Sequence, residues 1–234
     1  MFANSGLVEF SLPASVTNVN VEGVFYGCAN LATVTMHDNV GSTLGLKFFM
    51  NCASLNNFTF PASITRLGEI VGTNAGDTNH NGVIDPIEVT KFLTNGDSYA
   101  FAGCTSLESI TLGNVYWVGA HAFEGCTALK TVTSGIYLSV IGDYAFAGCT
   151  ALETADFSAT KTTWLNNSAQ QAEQGLVYDQ IQYYSRCSTE FGQYAFAGCT
   201  SLTYVKFIKS GSQLYWGTLG TGAFSGCTSL VSIT

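Results

Sequence analysis

The residues with the clearest chemistry are Asp77, Asn79, Asn81, Val83, Asp85 and Glu88, in the stretch Asp77-Thr-Asn-His-Asn-Gly-Val-Ile-Asp-Pro-Ile-Glu88. A hard divalent cation wants six or more oxygen ligands at about 2.3–2.6 Å. Here side-chain oxygens fall at positions one, three and five, a glycine at six permits the sharp turn, and a glutamate closes the loop at twelve. Val83 would offer its backbone carbonyl, Asp85 would ligate directly or through water, and Glu88 would chelate with both oxygens. The expected ion is Ca2+. Only three carboxylates serve the site and no second loop of this kind follows, so the expected affinity suits extracellular calcium, about 10⁻⁴–10⁻³ M. Val89-Thr-Lys-Phe-Leu93 reads as a short exiting helix, while Leu67–Gly76 is a poor entering one. The segment resembles an incomplete EF-hand, similar to a dockerin loop, rather than half of a paired sensor.

No catalytic constellation accompanies it. His37, His80 and His121 are scattered, and the nucleophile elbow, the P-loop and the His-Glu-x-x-His helix do not occur. The expectation is a protein that is not an enzyme. Sixteen acidic against eight basic residues give a formal net charge of −8, the wrong sign for nucleic acid or anionic lipid. No apolar run reaches the roughly 20 residues of a membrane span. The N-terminus has neither the basic start nor the long apolar core of a secretory signal, so any such signal is expected outside this chain.

The elements that must carry the loop announce themselves by repetition. Tyr99-Ala-Phe-Ala-Gly-Cys104-Thr-Ser-Leu107 returns around Cys126, Cys149, Cys199 and Cys227, with looser copies at Cys28 and Cys52. Cys104 to Cys126 is 22 residues, and Cys126 to Cys149 is 23. Self-similarity at this period means a solenoid, because each unit buries its apolar face only by stacking on its neighbours. Downstream of each cysteine, as in Leu107-Glu-Ser-Ile110-Thr-Leu112, apolar and polar residues alternate as in a half-buried strand. Segments of this kind begin at Leu7, Leu31, Leu55, Leu107, Leu129, Leu152, Leu202 and Leu230, which predicts about eight short strands in a parallel sheet. A second short strand is expected before the turn glycine, at Trp117-Val118 and Val140-Ile141, with turns and short 3-10 or helical pieces on that side. Seven of the eight cysteines share one repeat position and are expected as buried thiols, since a column of residues offers a line and not a zinc tetrahedron. Cys187 lies off the pattern.

The phrase Ala-Phe-x-Gly-Cys-x-x-Leu-x-x-Ile-x-Leu resembles the BspA-type leucine-rich repeats of bacterial and protist surface proteins, over about three quarters of the chain. The resemblance implies a leucine-rich-repeat solenoid with a parallel β-sheet on one face. It also implies a cell-surface or secreted protein, often an adhesin whose partners are protein or glycan ligands on other cells or matrix.

Residues 1–234 read as a single solenoid without polar caps. Two inserts break the period, 72–98 with the calcium loop and 158–190, which is rich in Gln and Tyr and has a candidate helix at 167–174. Sequons stand at Asn57-Phe-Thr59 and Asn166-Asn-Ser168. The uncapped ends raise a second expectation, a structural protein that assembles head to tail into filaments or surface layers.

Overall fold

The computed structural model describes residues 2–68, 97–136, 138–159, 189–207, 209–210, 213–214 and 216–234. Two ladders of short parallel strands run along the repeat axis. The first holds β1 (Glu9–Ser11) and β2 (Thr33–Thr35) as one pair, and β5 (Ser109–Thr111), β7 (Thr131–Thr133), β9 (Thr154–Asp156), β11 (Tyr204–Lys206) and β15 (Ser232–Ile233) as a five-stranded sheet. The second is a six-stranded sheet of β3 (Thr43–Leu44), β4 (Arg66–Leu67), β6 (Trp117–Val118), β8 (Val140–Ile141), β10 (Thr189–Phe191) and β14 (Trp216–Leu219). A small antiparallel hairpin joins β12 (Lys209–Ser210) to β13 (Gln213–Leu214).

Seven of the eight expected first-ladder strands form. The eighth segment, after Leu55, keeps the alternation (Asn57 exposed, Phe58 buried, Thr59 exposed) but does not join the ladder, which divides there. Phe58 packs between Phe49 and Phe101, at ring-centroid distances of 5.2 and 5.3 Å. An extra aromatic ring thus fills a place that Ile110 or Val132 fills in the regular units.

The expected helical pieces are turns among the described residues, and the hydrogen bonds show why. In the unit around Phe146, Ala147 and Cys149 donate to the carbonyls three residues back, Tyr144 and Phe146. The alternate amides reach sideways instead. Tyr144, Phe146 and Gly148 donate to Gln193, Ala195 and Ala197 of the following coil, at 2.7–2.9 Å. A helix would need every amide for itself. Here half of them stitch one coil to the next, so each unit is ordered through its neighbour, as a solenoid requires.

The core is three columns. Phe25, Phe49, Phe101, Phe123, Phe146, Phe196 and Phe224 stack in sequence, with centroids 5.0–5.5 Å apart. Beside them run the motif leucines, Leu31 through Leu202, all fully buried. The third column is the cysteines, which are free thiols as expected. Each thiol donates to the phenylalanine carbonyl of the preceding coil, as Cys126 does to Phe101 at 3.1 Å and Cys149 to Phe123 at 3.2 Å.

Candidate interaction surface

Side chains of a β-strand alternate between its two faces. In β5, β7, β9 and β11 the middle residue, Ile110, Val132, Ala155 or Val205, points into the core and is buried. Its two neighbours point outward. The pairing register aligns those neighbours into two files. Ser109, Thr131, Thr154, Tyr204 and Ser232 lie side by side in one, and Thr111, Thr133, Asp156 and Lys206 in the other. Glu9 with Thr33 and Ser11 with Thr35 repeat the arrangement on the first pair of strands. Parallel strands stand about 4.7–4.9 Å apart and rise about 3.3 Å per residue. The outward face is therefore a grid of mostly hydroxyl groups, about 5 Å by 7 Å.

Among the described residues the lysines of this face are paired, while exposed Glu9 and Glu153 have no ion pair. The Lys130 ammonium lies 3.1 Å from Glu108, beside the first file, and Lys206 lies 3.3 Å from Asp156, within the second. Burial alone would raise the Asp156 carboxyl. Hydrogen bonds from Ser158 and the Lys206 ammonium outweigh it and hold the group below the usual carboxylate range. Tyr204 is the large aromatic of the two files, and about half of its surface is open to solvent (48%).

A second set of rings lines another edge. The residue two before a column phenylalanine adopts a left-handed backbone: Lys47, Tyr99, His121, Tyr144 and Tyr194 have φ between 51° and 60°. For a bulky residue this conformation costs roughly 1–2 kcal/mol. Tyr99, His121, Tyr144 and Tyr194 stack face to face, with centroids 4.5, 5.1 and 5.2 Å apart. Stacked pairs contribute about 0.5–1.5 kcal/mol each beyond their buried area, which offsets the backbone cost. His121 also holds Glu124 through Nδ1 at 2.8 Å. The ring faces are stacked on one another, so this column braces the turns.

The thiol column is chemically quiet. Burial pushes the Cys52 thiol up to about 12 and those of Cys104 and Cys126 well above the ordinary range. The neighbouring Cys199 thiol, reinforced by burial, raises Cys227 as well. Nucleophilic cysteines need the opposite shift.

The expected calcium ligands Asp77, Asn79, Asn81, Val83, Asp85 and Glu88 lie outside the described residues, as do the candidate helix 167–174, the sequon at Asn166 and Cys187. Among the described residues no group of three or more His, Cys, Asp and Glu side chains could hold a metal ion. No helix among them is long and apolar enough to cross a membrane. The two outward files escape sequence reasoning that looks for reactive groups. Their signal is the polar residue on either side of each buried Ile110-type position.

The model for the BspA type leucine-rich repeat region matches residues 1–74 and 94–231, in six copies. The chain belongs to the BspA-type leucine-rich repeat family. Its members' fold recurs in a leucine-rich repeat protein from Bacteroides ovatus, 20% identical, with a TM-score of 0.50 over 96% of this chain and 54% of that one. This BspA-type chain thus spans about half the length of that protein. A leucine-rich repeat protein from T. pallidum is 20% identical over 83% of this chain and 78% of its own, with a TM-score of 0.46. A leucine-rich cell surface protein from Faecalibacterium prausnitzii is 20% identical over 97% and 59%, with a TM-score of 0.40. No curated protein sequence matches the chain.

Proposed function

We propose that this BspA-type chain is a non-catalytic recognition module, exposed on a cell surface or secreted, that adheres through the outward face of its first sheet to protein or glycan ligands. The observation that carries the reading is the regular polar face itself, built on a rigid parallel ladder and left open to solvent. Rigid scaffolds that present such faces lose little entropy on binding. Family membership supports the extracellular setting.

The test is adhesion of the purified chain, displayed on beads, to cell-surface and matrix preparations. Biotin or a fluorophore attached through Thr133→Cys should block adhesion, whereas the same label at Asn39→Cys should not. Adhesion that ignores the label at residue 133 would remove the sheet face from the reading. Compact particles in negative stain are the expected state. Filaments would assign the chain instead to end-to-end assembly.

We further propose that the 72–98 insert binds Ca2+ through Asp77, Asn79, Asn81, Val83, Asp85 and Glu88, and that the ion stabilises the insert. Glu88→Gln should remove calcium binding in a calorimetric titration, because position twelve supplies two of the ligand oxygens. Undiminished calcium uptake by that variant would overturn the loop assignment.

A further inference from the structure

We infer that the partner of the first-sheet face is an uncharged polysaccharide, lying across strands β5, β7, β9 and β11 on the files of Ser109, Thr131, Thr154 and Tyr204 and of Thr111 and Thr133. This rests on the adhesive reading of that face and names its ligand class.

Charge decides against acidic chains. The cations on or beside the face each sit on a carboxylate, Lys130 on Glu108 and Lys206 on Asp156. Among the described residues a sulfated or uronic chain finds no unpaired cation there, and exposed Glu153 beside Thr154 would repel it. Composition decides against a protein partner. Protein interfaces depend on a central cluster of aromatic, arginine and aliphatic anchors that become fully desolvated. Between Ser109 and Thr154 this face offers hydroxyls alone.

What remains fits a neutral polyhydroxylated chain. Serine and threonine hydroxyls both donate and accept, so they match sugar hydroxyls in either sense. Neighbours in one file are separated by the strand spacing, about 4.7–4.9 Å, which is close to the length of one hexose in an extended chain. The same contact can therefore recur from one strand to the next. At the end of the first file Tyr204, paired in register with Thr154, supplies an exposed ring on which the apolar face of a sugar can stack. Binding of this kind is weak per sugar and accumulates along the chain.

The experiment is native affinity electrophoresis of the full chain in gels containing mixed-linkage β-glucan, galactomannan or polygalacturonate. The neutral gels should retard the protein and the polygalacturonate gel should not. Thr131→Val with Thr133→Val keeps the side-chain shape and strand propensity while deleting two hydroxyls. It should weaken retardation about tenfold, and Tyr204→Ala should weaken it independently. Thermal unfolding verifies that the variants stay folded. Migration unaffected by either neutral polysaccharide, or retardation unchanged in folded variants, would overturn the inference. Bead adhesion that persists and is blocked by the residue-133 label would then leave the adhesive reading standing with a protein as the partner. If bead adhesion is also absent, both fall.

Discussion

At the residue scale, the cysteine column shows how one side chain meets two needs. A buried thiol is a small apolar filler, and here its proton also bonds the phenylalanine carbonyl of the coil before, as in Cys104 to Phe49 at 3.2 Å. Two consequences are measurable. The column thiols should resist a disulfide reagent in the native protein and react on unfolding, with part-exposed Cys227 the first to respond. A native burst of several equivalents of reagent would contradict the buried column. Stability should also fall in alkali. A thiol whose folded pKa is raised keeps its proton longer in the native state than in the unfolded one. Its contribution is complete below the unfolded value, about 8.5, and is lost as pH rises through the folded value, which for Cys52 is about 12. Melting temperature should therefore decline from about pH 8.5 upward, and less steeply in a Cys126→Ala variant.

At the element scale, the turn is where strain and stacking balance. Its left-handed position is occupied by Tyr144, whose ring lies 5.1 Å from His121 and 5.2 Å from Tyr194. Tyr144→Ala loses both stacks and keeps the unfavourable backbone, at a cost of about 1–3 kcal/mol. Tyr144→Gly loses the same stacks but relaxes the backbone, so it should be the milder of the two in denaturant unfolding. The reverse order would mean that the conformation carries no strain. At the turn's second left-handed position, Gly103 has a φ of 72°, and a Cβ there would meet the Asn51 side-chain oxygen at 2.4 Å. Gly103→Ala should therefore destabilise by more than a typical surface change, about 1–3 kcal/mol. Asn51, in the same repeat position with a φ of 62°, shows the other residue type that tolerates this geometry.

At the scale of the whole molecule, stability is a chain of nearest-neighbour terms. Phe146 sits between Phe123 and Phe196 at 5.0 and 5.1 Å. Phe146→Ala should cost about 3–5 kcal/mol. It should also weaken the two flanking interfaces more than distant ones, giving a local loss of hydrogen-exchange protection around Cys126 to Cys199. A uniform loss along the whole array would show that the units unfold as one block.

The periodic phrase alone determined the architecture. A 22–23-residue repeat of Ala-Phe-x-Gly-Cys and Leu-x-x-Ile can bury its apolar side chains only by stacking, so the solenoid, the buried thiols, both short-strand ladders and the inward Ile110-type positions were legible from residue order. The pattern of oxygen donors from Asp77 to Glu88 was legible too, but it lies outside the described residues. Tertiary structure decided what depends on neighbours distant in sequence. Half of the turn amides bond across coils, which is why turns stand where helical pieces were expected. The segment after Leu55, which carries the buried ring of Phe58, stands outside the ladder. The files of hydroxyls exist only because parallel pairing brings Ser109, Thr131, Thr154 and Tyr204 into register, and the column of Tyr99, His121, Tyr144 and Tyr194 only because successive coils stack at about 5 Å. Such surfaces are made of residues more than twenty positions apart, and only the register between coils brings them side by side.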